Sequence, residues 1–155
     1  MPKIAWLAKL LSADFPELKF APGDDFRWSN HSKTVHYIAE DSEEALSNLL
    51  HETGHGLLGH QDFKFDIDLL KIERAAWVYA RDRLAPRYGL TVDDGLVEDS
   101  LDSYRDWLHQ RSRCPRCAQT GLENDDKTYT CLNCRTDWRP NEARRCGLKR
   151  YIKQI

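Results

Sequence analysis

Apolar positions recur at helical spacing in four stretches, and between the first two the pattern changes to aromatic and β-branched residues. Residues 3–13 place Ile4, Leu7, Leu10 and Leu11 on one side, which predicts a short amphipathic helix ended with help from Pro16. Leu18 to Phe20 reads as a strand, and Pro22-Gly23-Asp24-Asp25 as a turn. Phe26-Arg27-Trp28 and Thr34-Val35-His36-Tyr37-Ile38, joined by Ser29 to Lys33, predict a hairpin. Ala45, Leu46, Leu49 and Leu50 open a second helix. Asp41 with Glu44 three residues on is an N-cap signature, so this helix should start near Ser42, run to about Leu58 and stop at Gly59. Leu69, Leu70, Ile72, Ala76, Trp77 and Ala80 mark a third helix, capped by Asp66 or Asp68 and ended by Pro86. Leu96, Val97, Leu101, Tyr104, Trp107 and Leu108 mark a fourth, from Val92 to Gln110.

The chain has 155 residues, 41% hydrophobic and 31% charged, the composition of a globular protein with one core and a small appendage. No apolar run is long enough to span a bilayer. Met1 to Leu11 is interrupted by Lys3 and Lys9 and lacks a signal-cleavage pattern, so a cytoplasmic location is expected. Charge is uneven. Residues 1–110 hold 12 Lys/Arg against 20 Asp/Glu, a net of −8, while residues 111–155 hold 11 against 5, a net of +6. That reversal suggests two domains, 1–110 and 111–155, joined without a flexible linker.

The second helix carries His51-Glu52-Thr53-Gly54-His55, an H-E-x-x-H sequence. Residues four apart lie on one helix face, so His51 and His55 can offer two imidazole nitrogens to one Zn²⁺. Glu52 is placed to take a proton from the metal's water, the general-base role in a metallopeptidase. Gly54 and Gly56 each weaken the helix by roughly 1 kcal/mol relative to alanine, which suggests close approach of another backbone. A catalytic zinc needs a third protein ligand. Glu73, 18 residues after His55 and beside the small Ala76 and Ala80, is the leading candidate. His60, Asp62 and Asp66 are the alternatives. Oxyanion stabilisation is open among Tyr37, Tyr79 and His60, and Thr34 to Ile38 is the candidate strand for a substrate to extend.

All five cysteines follow residue 113. Cys114-x-x-Cys117 and Cys131-x-x-Cys134 have the spacing of a tetrathiolate structural zinc site, and Thr128-Tyr129-Thr130 reads as a strand feeding the second knuckle. Cys146 is left as a free thiol. Arg111, Arg113, Arg116, Arg135, Arg139, Arg144, Arg145, Lys149, Arg150 and Lys153 surround the knuckles, with Tyr129, Trp138 and Tyr151 interleaved. Such a segment can hold phosphates and stack bases, or can dock on the acidic first domain.

His51-Glu52-Thr53-Gly54-His55-Gly56-Leu57-Leu58-Gly59-His60 resembles the H-E-L-G-H-x-x-L-G-H segment of the ImmA/IrrE metallopeptidases, with Thr53 where leucine is usual. Glu73-x-x-Ala76-x-x-Tyr79-Ala80 resembles that family's E-x-x-A-x-x-[FW]-A pattern, whose glutamate is the third ligand. The resemblance covers about residues 34–86 and implies selective intracellular cleavage of a protein, in that family a transcriptional repressor. The SprT-like peptidases, including Spartan, are a weaker match. They join an H-E-x-x-H domain to a zinc-binding segment and cleave proteins crosslinked to DNA, but their third ligand is a downstream histidine.

The expectation is therefore an α+β protein: a mainly helical zincin-like domain with a small hairpin or sheet, then a zinc ribbon. It would bind one catalytic zinc through His51, His55 and Glu73 and one structural zinc through Cys114, Cys117, Cys131 and Cys134. Glu52 would activate water to cleave a protein substrate, which the basic ribbon or a nucleic acid bound to it would help recruit. The alternative is a non-catalytic ribbon protein on a peptidase-like scaffold.

Overall fold

The computed structural model describes residues 3–61, 63–144 and 147–153. They form a mixed α/β fold with four α-helices and two small sheets. The chain packs as two compact units, one of Met1–Asp62 with Lys71–Asp99, the other of Phe63–Leu70 with Ser100–Ile155. The sequence division at 110/111 differs from this one. Phe63, Leu69 and Leu70 join Tyr104, Trp107 and Leu108 in one apolar cluster, which draws them into the second unit.

In the first unit α1 (Ile4–Asp14) buries Ile4, Leu7, Ala8 and Leu11. It is followed by β1 (Lys19–Pro22), β2 (Arg27–Ser29), β3 (Thr34–Tyr37) and α2 (Glu43–Leu57). β2 and β3 pair antiparallel, with Trp28 opposite Val35, and β1 pairs parallel to β3, with Phe20 opposite Val35. β3 is thus central. Its backbone is engaged on both sides, so Thr34 to Tyr37 has no free edge for a substrate strand. The free edges of the sheet are β1 and β2.

The α2 cap is Ser42, whose hydroxyl accepts the Ala45 N–H at 3.1 Å. Asp41 instead accepts the Ile4 N–H at 3.0 Å and caps α1. At the other end Gly59 adopts φ +69°, and the His60 N–H returns to the His55 carbonyl at 3.0 Å, the reversed-chain ending that glycine favours. α3 (Asp66–Tyr79) opens where the Asp68 carboxylate accepts the Phe65 N–H at 3.2 Å. It runs into a wider π turn, Ala80–Leu84, before Pro86 begins a short 3₁₀ turn.

In the second unit the later part of α4 (Asp94–Ser112) leads to β4 (Leu122–Glu123), β5 (Tyr129–Thr130), β6 (Asp137–Pro140) and β7 (Arg150–Ile152). These form an antiparallel sheet in sequence order, over a small core of Cys114, Tyr129, Cys131 and Trp138. Trp138 approaches Gly121 so closely that a Cβ there would lie 2.3 Å from its ring. Among the described residues no helix is long and apolar enough to cross a membrane.

Candidate metal centres

The apolar face of α2 buries Leu46, Leu49 and Leu50 and carries His51 and His55 inward with it. Thr53 is fully buried on the same helix, and its hydroxyl is satisfied by the Leu49 carbonyl at 2.7 Å. α3 crosses α2 at Gly54. A Cβ on that glycine would lie 2.8 Å from the Ala76 carbonyl oxygen, so only glycine permits this helix contact. One turn before Ala76, Glu73 reaches the two histidines. His51 Nε2 and Glu73 Oε2 are 2.9 Å apart, and His55 Nε2 and Glu73 Oε1 are 3.2 Å apart.

His51, His55 and Glu73 are 4%, 5% and 6% exposed, so their polar atoms need partners within the protein or a bound ion. Yet His51 Nε2 and Glu73 Oε2, close as they are, lack hydrogen-bond geometry. Donors around a tetrahedral zinc at about 2.0–2.1 Å are separated by about 3.3 Å. Two imidazole nitrogens and a carboxylate converging this closely fit that donor set. The ligand atoms of His51, Glu52 and His55 also lie within 4.8 Å of one another, a group able to hold a metal ion. Glu52 approaches His51 from the other side, with Oε1 3.3 Å from Nδ1, so Glu73 rather than Glu52 shares the Nε2 side.

The electrostatics follow. Burial opposes a charge on His51, but Glu52 and then Glu73 outweigh it and push the imidazole pKa up to about 9. Burial likewise opposes the Glu73 carboxylate, yet His51 and His55 hold it well below the usual range.

Both histidines are gripped from behind. The Trp77 ring, four residues after Glu73 on α3, stacks on His51 at 4.1 Å and 5°. His55 Nδ1 faces His60 Nδ1 at 2.9 Å. Burial first, then the neighbouring His55, lowers the His60 pKa. The His60 carbonyl accepts the Trp28 indole N–H at 3.0 Å, and Trp28 packs over Gly56, where a Cβ would come within 2.9 Å of the ring. His60 therefore meets the nitrogen of His55 that faces away from Glu73, which separates it from the donor set. The rival ligand Asp66 belongs to the second unit, where its carboxylate accepts the Tyr129 hydroxyl. Asp62 lies outside the described residues. Tyr37 and Tyr79, the other oxyanion candidates, end β3 and α3 and are half-buried. The sequence reading missed the roles of Trp28 and Trp77. The i,i+4 spacing of Glu73 and Trp77 was the available signal for the latter.

The four cysteines of the second unit form a second group able to hold a metal. Their Sγ atoms all lie within 4.8 Å of one another, with Cys114–Cys134 at 3.6 Å and Cys117–Cys131 at 3.4 Å. A disulfide would need about 2.05 Å, whereas thiolates around zinc at about 2.3 Å stand about 3.8 Å apart. The two knuckles match. In each, the residue after the second cysteine, Ala118 or Arg135, has φ near +65° and donates its N–H to the carbonyl of the first cysteine. The Thr136 hydroxyl, 3.1 Å from Cys134 Sγ, helps push that thiol down to about 6, toward the thiolate a metal requires.

Several basic and aromatic residues of this unit are engaged internally. Arg111 is 1% exposed, with its guanidinium 4.4 Å over Trp107. Arg144 lies over Tyr104, and Lys153 pairs with Asp126 at 3.3 Å. Tyr129 and Trp138 are buried and stacked on each other at 5.6 Å, so neither offers a ring to a nucleic-acid base. Tyr151 is 56% exposed, and Arg113, Arg116, Arg135, Arg139 and Lys149 remain at the surface. Arg145 and Cys146 lie outside the described residues. No protein-family model, curated protein or solved structure matches the chain.

Proposed function

We propose that the protein is a zinc-dependent endopeptidase of narrow specificity. The observation that carries this reading is the convergence of His51 Nε2, His55 Nε2 and the buried Glu73 carboxylate, 2.9 and 3.2 Å apart, beside a second carboxylate, Glu52. A zinc ion held by His51, His55 and Glu73 supplies Lewis-acid chemistry, polarising a carbonyl and acidifying water. Glu52 is half-buried next to these donors and takes the proton of the attacking water. It then returns that proton to the departing amine. An extended substrate can lie along β2, a free edge of the first sheet and the strand that supplies Trp28. The order of the H-E-x-x-H helix and the Glu73 helix supports a zincin-like, ImmA/IrrE-type arrangement.

Cys114, Cys117, Cys131 and Cys134 hold a structural zinc, because four thiolates close its shell. Free thiols suit a reducing compartment, so we place the protein in the cytoplasm. The exposed arginines and Tyr151 favour a recruiting role for the ribbon, toward a regulatory or DNA-associated protein substrate or toward nucleic acid. The same exposed set also fits a second reading, a non-catalytic binding module.

Glu52→Gln separates the two. The variant should keep its fold and both zincs. Its cleavage of a proteome-derived peptide library, read as new termini by mass spectrometry, should fall by about 10²–10⁴-fold. A cleavage pattern unchanged by Glu52→Gln, or absent from the wild type, would favour the binding module.

A further inference from the structure

We propose that His60 is a positioning residue that fixes the tautomer and angle of His55. The inference rests on the metal-site reading above and goes beyond it, since His60 there is neither ligand nor base. His55 Nδ1 and His60 Nδ1 are 2.9 Å apart, so one nitrogen carries the shared proton and the other accepts it. A His55 that offers its Nε2 lone pair to a metal shared with Glu73 must carry its proton on Nδ1. His60 then accepts at Nδ1 and keeps its own proton on Nε2. One hydrogen bond sets both tautomers and prevents the His55 ring from rotating out of the donor set.

The surrounding structure aims His60 at this nitrogen. Gly59, at φ +69°, reverses the chain after α2. The His60 N–H closes onto the His55 carbonyl at 3.0 Å, which brings the two rings to 5.1 Å between centroids. Trp28 holds the His60 carbonyl from β2, and its ring covers Gly56. His60 is thus constrained at three points: its amide, its carbonyl and its ring.

The test compares His60→Asn with His60→Leu. Asparagine places an acceptor oxygen where histidine has Nδ1, and leucine places a methyl group there. Zinc affinity of the full chain would be measured by chelator competition, with the cysteine site kept loaded and Glu73→Ala identifying the histidine site. His60→Leu should weaken that site by about 10–100-fold, and His60→Asn should stay within about threefold of wild type. Long-range ¹H–¹⁵N correlation in the zinc-loaded protein should show a slowly exchanging His55 Nδ1 proton in wild type and His60→Asn. In His60→Leu that proton should exchange rapidly with water. Equal affinity in the leucine variant, or equal losses in both variants, would overturn the proposal. If Glu73→Ala leaves zinc binding unchanged in wild type, the metal-site reading fails instead. The proposal, which needs a metal on His55 Nε2, then fails with it.

Discussion

Gly54 shows how much of the site depends on one missing side chain. In a free helix alanine at that position would gain about 1 kcal/mol of propensity. Here its Cβ would press on the Ala76 carbonyl at 2.8 Å, a backbone atom that cannot rotate away. Overpacking of this kind costs about 1–3 kcal/mol, so the two effects nearly offset in stability. They do not offset in geometry, because relief requires α3 to move and α3 carries Glu73. Gly54→Ala should therefore change unfolding free energy by less than about 2 kcal/mol while weakening zinc at the histidine site at least about tenfold. The cysteine site should be untouched. Denaturant titration and zinc competition on the same sample check both halves. A large stability loss with metal affinity intact would show that the close approach serves packing alone.

At the scale of elements, the first turn of α3 is held from the second sheet. The Asp66 N–H donates to both Glu123 carboxylate oxygens at 3.0 and 3.2 Å, and the Asp66 carboxylate accepts the Tyr129 hydroxyl. Burial raises the Glu123 pKa above the ordinary glutamate value of 4.5, and the nearby Asp66 charge adds to the rise, despite the opposing Asp66 N–H. An acid with a raised folded pKa binds its proton more tightly when folded. Its contribution to stability thus grows as pH falls through the folded pKa toward 4.5 and is unfavourable above. Glu123→Gln keeps an acceptor for the Asp66 N–H and removes the charge. It should be more stable relative to wild type at pH about 7.5 than at pH about 5, as measured by denaturant unfolding; the reverse trend would show that the Asp66 N–H bond dominates. This contact was illegible in the sequence because 57 residues separate its partners. Local signals were clearer. The four helices and the β2–β3 hairpin follow from periodicity, and the proximity of Glu73 to His51 and His55 from the small Ala76 on α3 and Ala80 just after it. The choice between Asp41 and Ser42 as the α2 cap was not local, since Asp41 turns to α1. Nor does residue alternation show which strand is central, so Thr34 to Ile38 could be read equally as a substrate-binding edge or as a plain core strand, and the structure makes it the latter.

For the whole molecule, charge and cysteine content place the break at 110/111, but packing does not. Charge reports what faces water, while the compact units follow buried apolar contact. Trp107 and Leu108 are buried with Leu69, and the Trp107 indole donates to the Ala143 carbonyl at 2.9 Å. Asp66 likewise takes its partners, Glu123 and Tyr129, from beyond residue 110. A fragment ending at Gln110 therefore loses the acceptor of a buried indole, at a cost of about 1–3 kcal/mol. It also loses the groups that hold the start of α3. A shift of 1 kcal/mol moves the melting temperature of a domain this size by about 4–8 °C. Fragment 1–110 should accordingly melt at least about 5 °C below the first transition of the full chain and lose helical ellipticity. Zinc affinity at the proposed site of His51, His55 and Glu73 should fall, because Glu73 lies on the helix whose first turn has been released. Circular dichroism melts with and without zinc decide the matter. A fragment that melts with the full chain and holds zinc as tightly would make residues 1–110 a self-sufficient domain and the ribbon a true appendage.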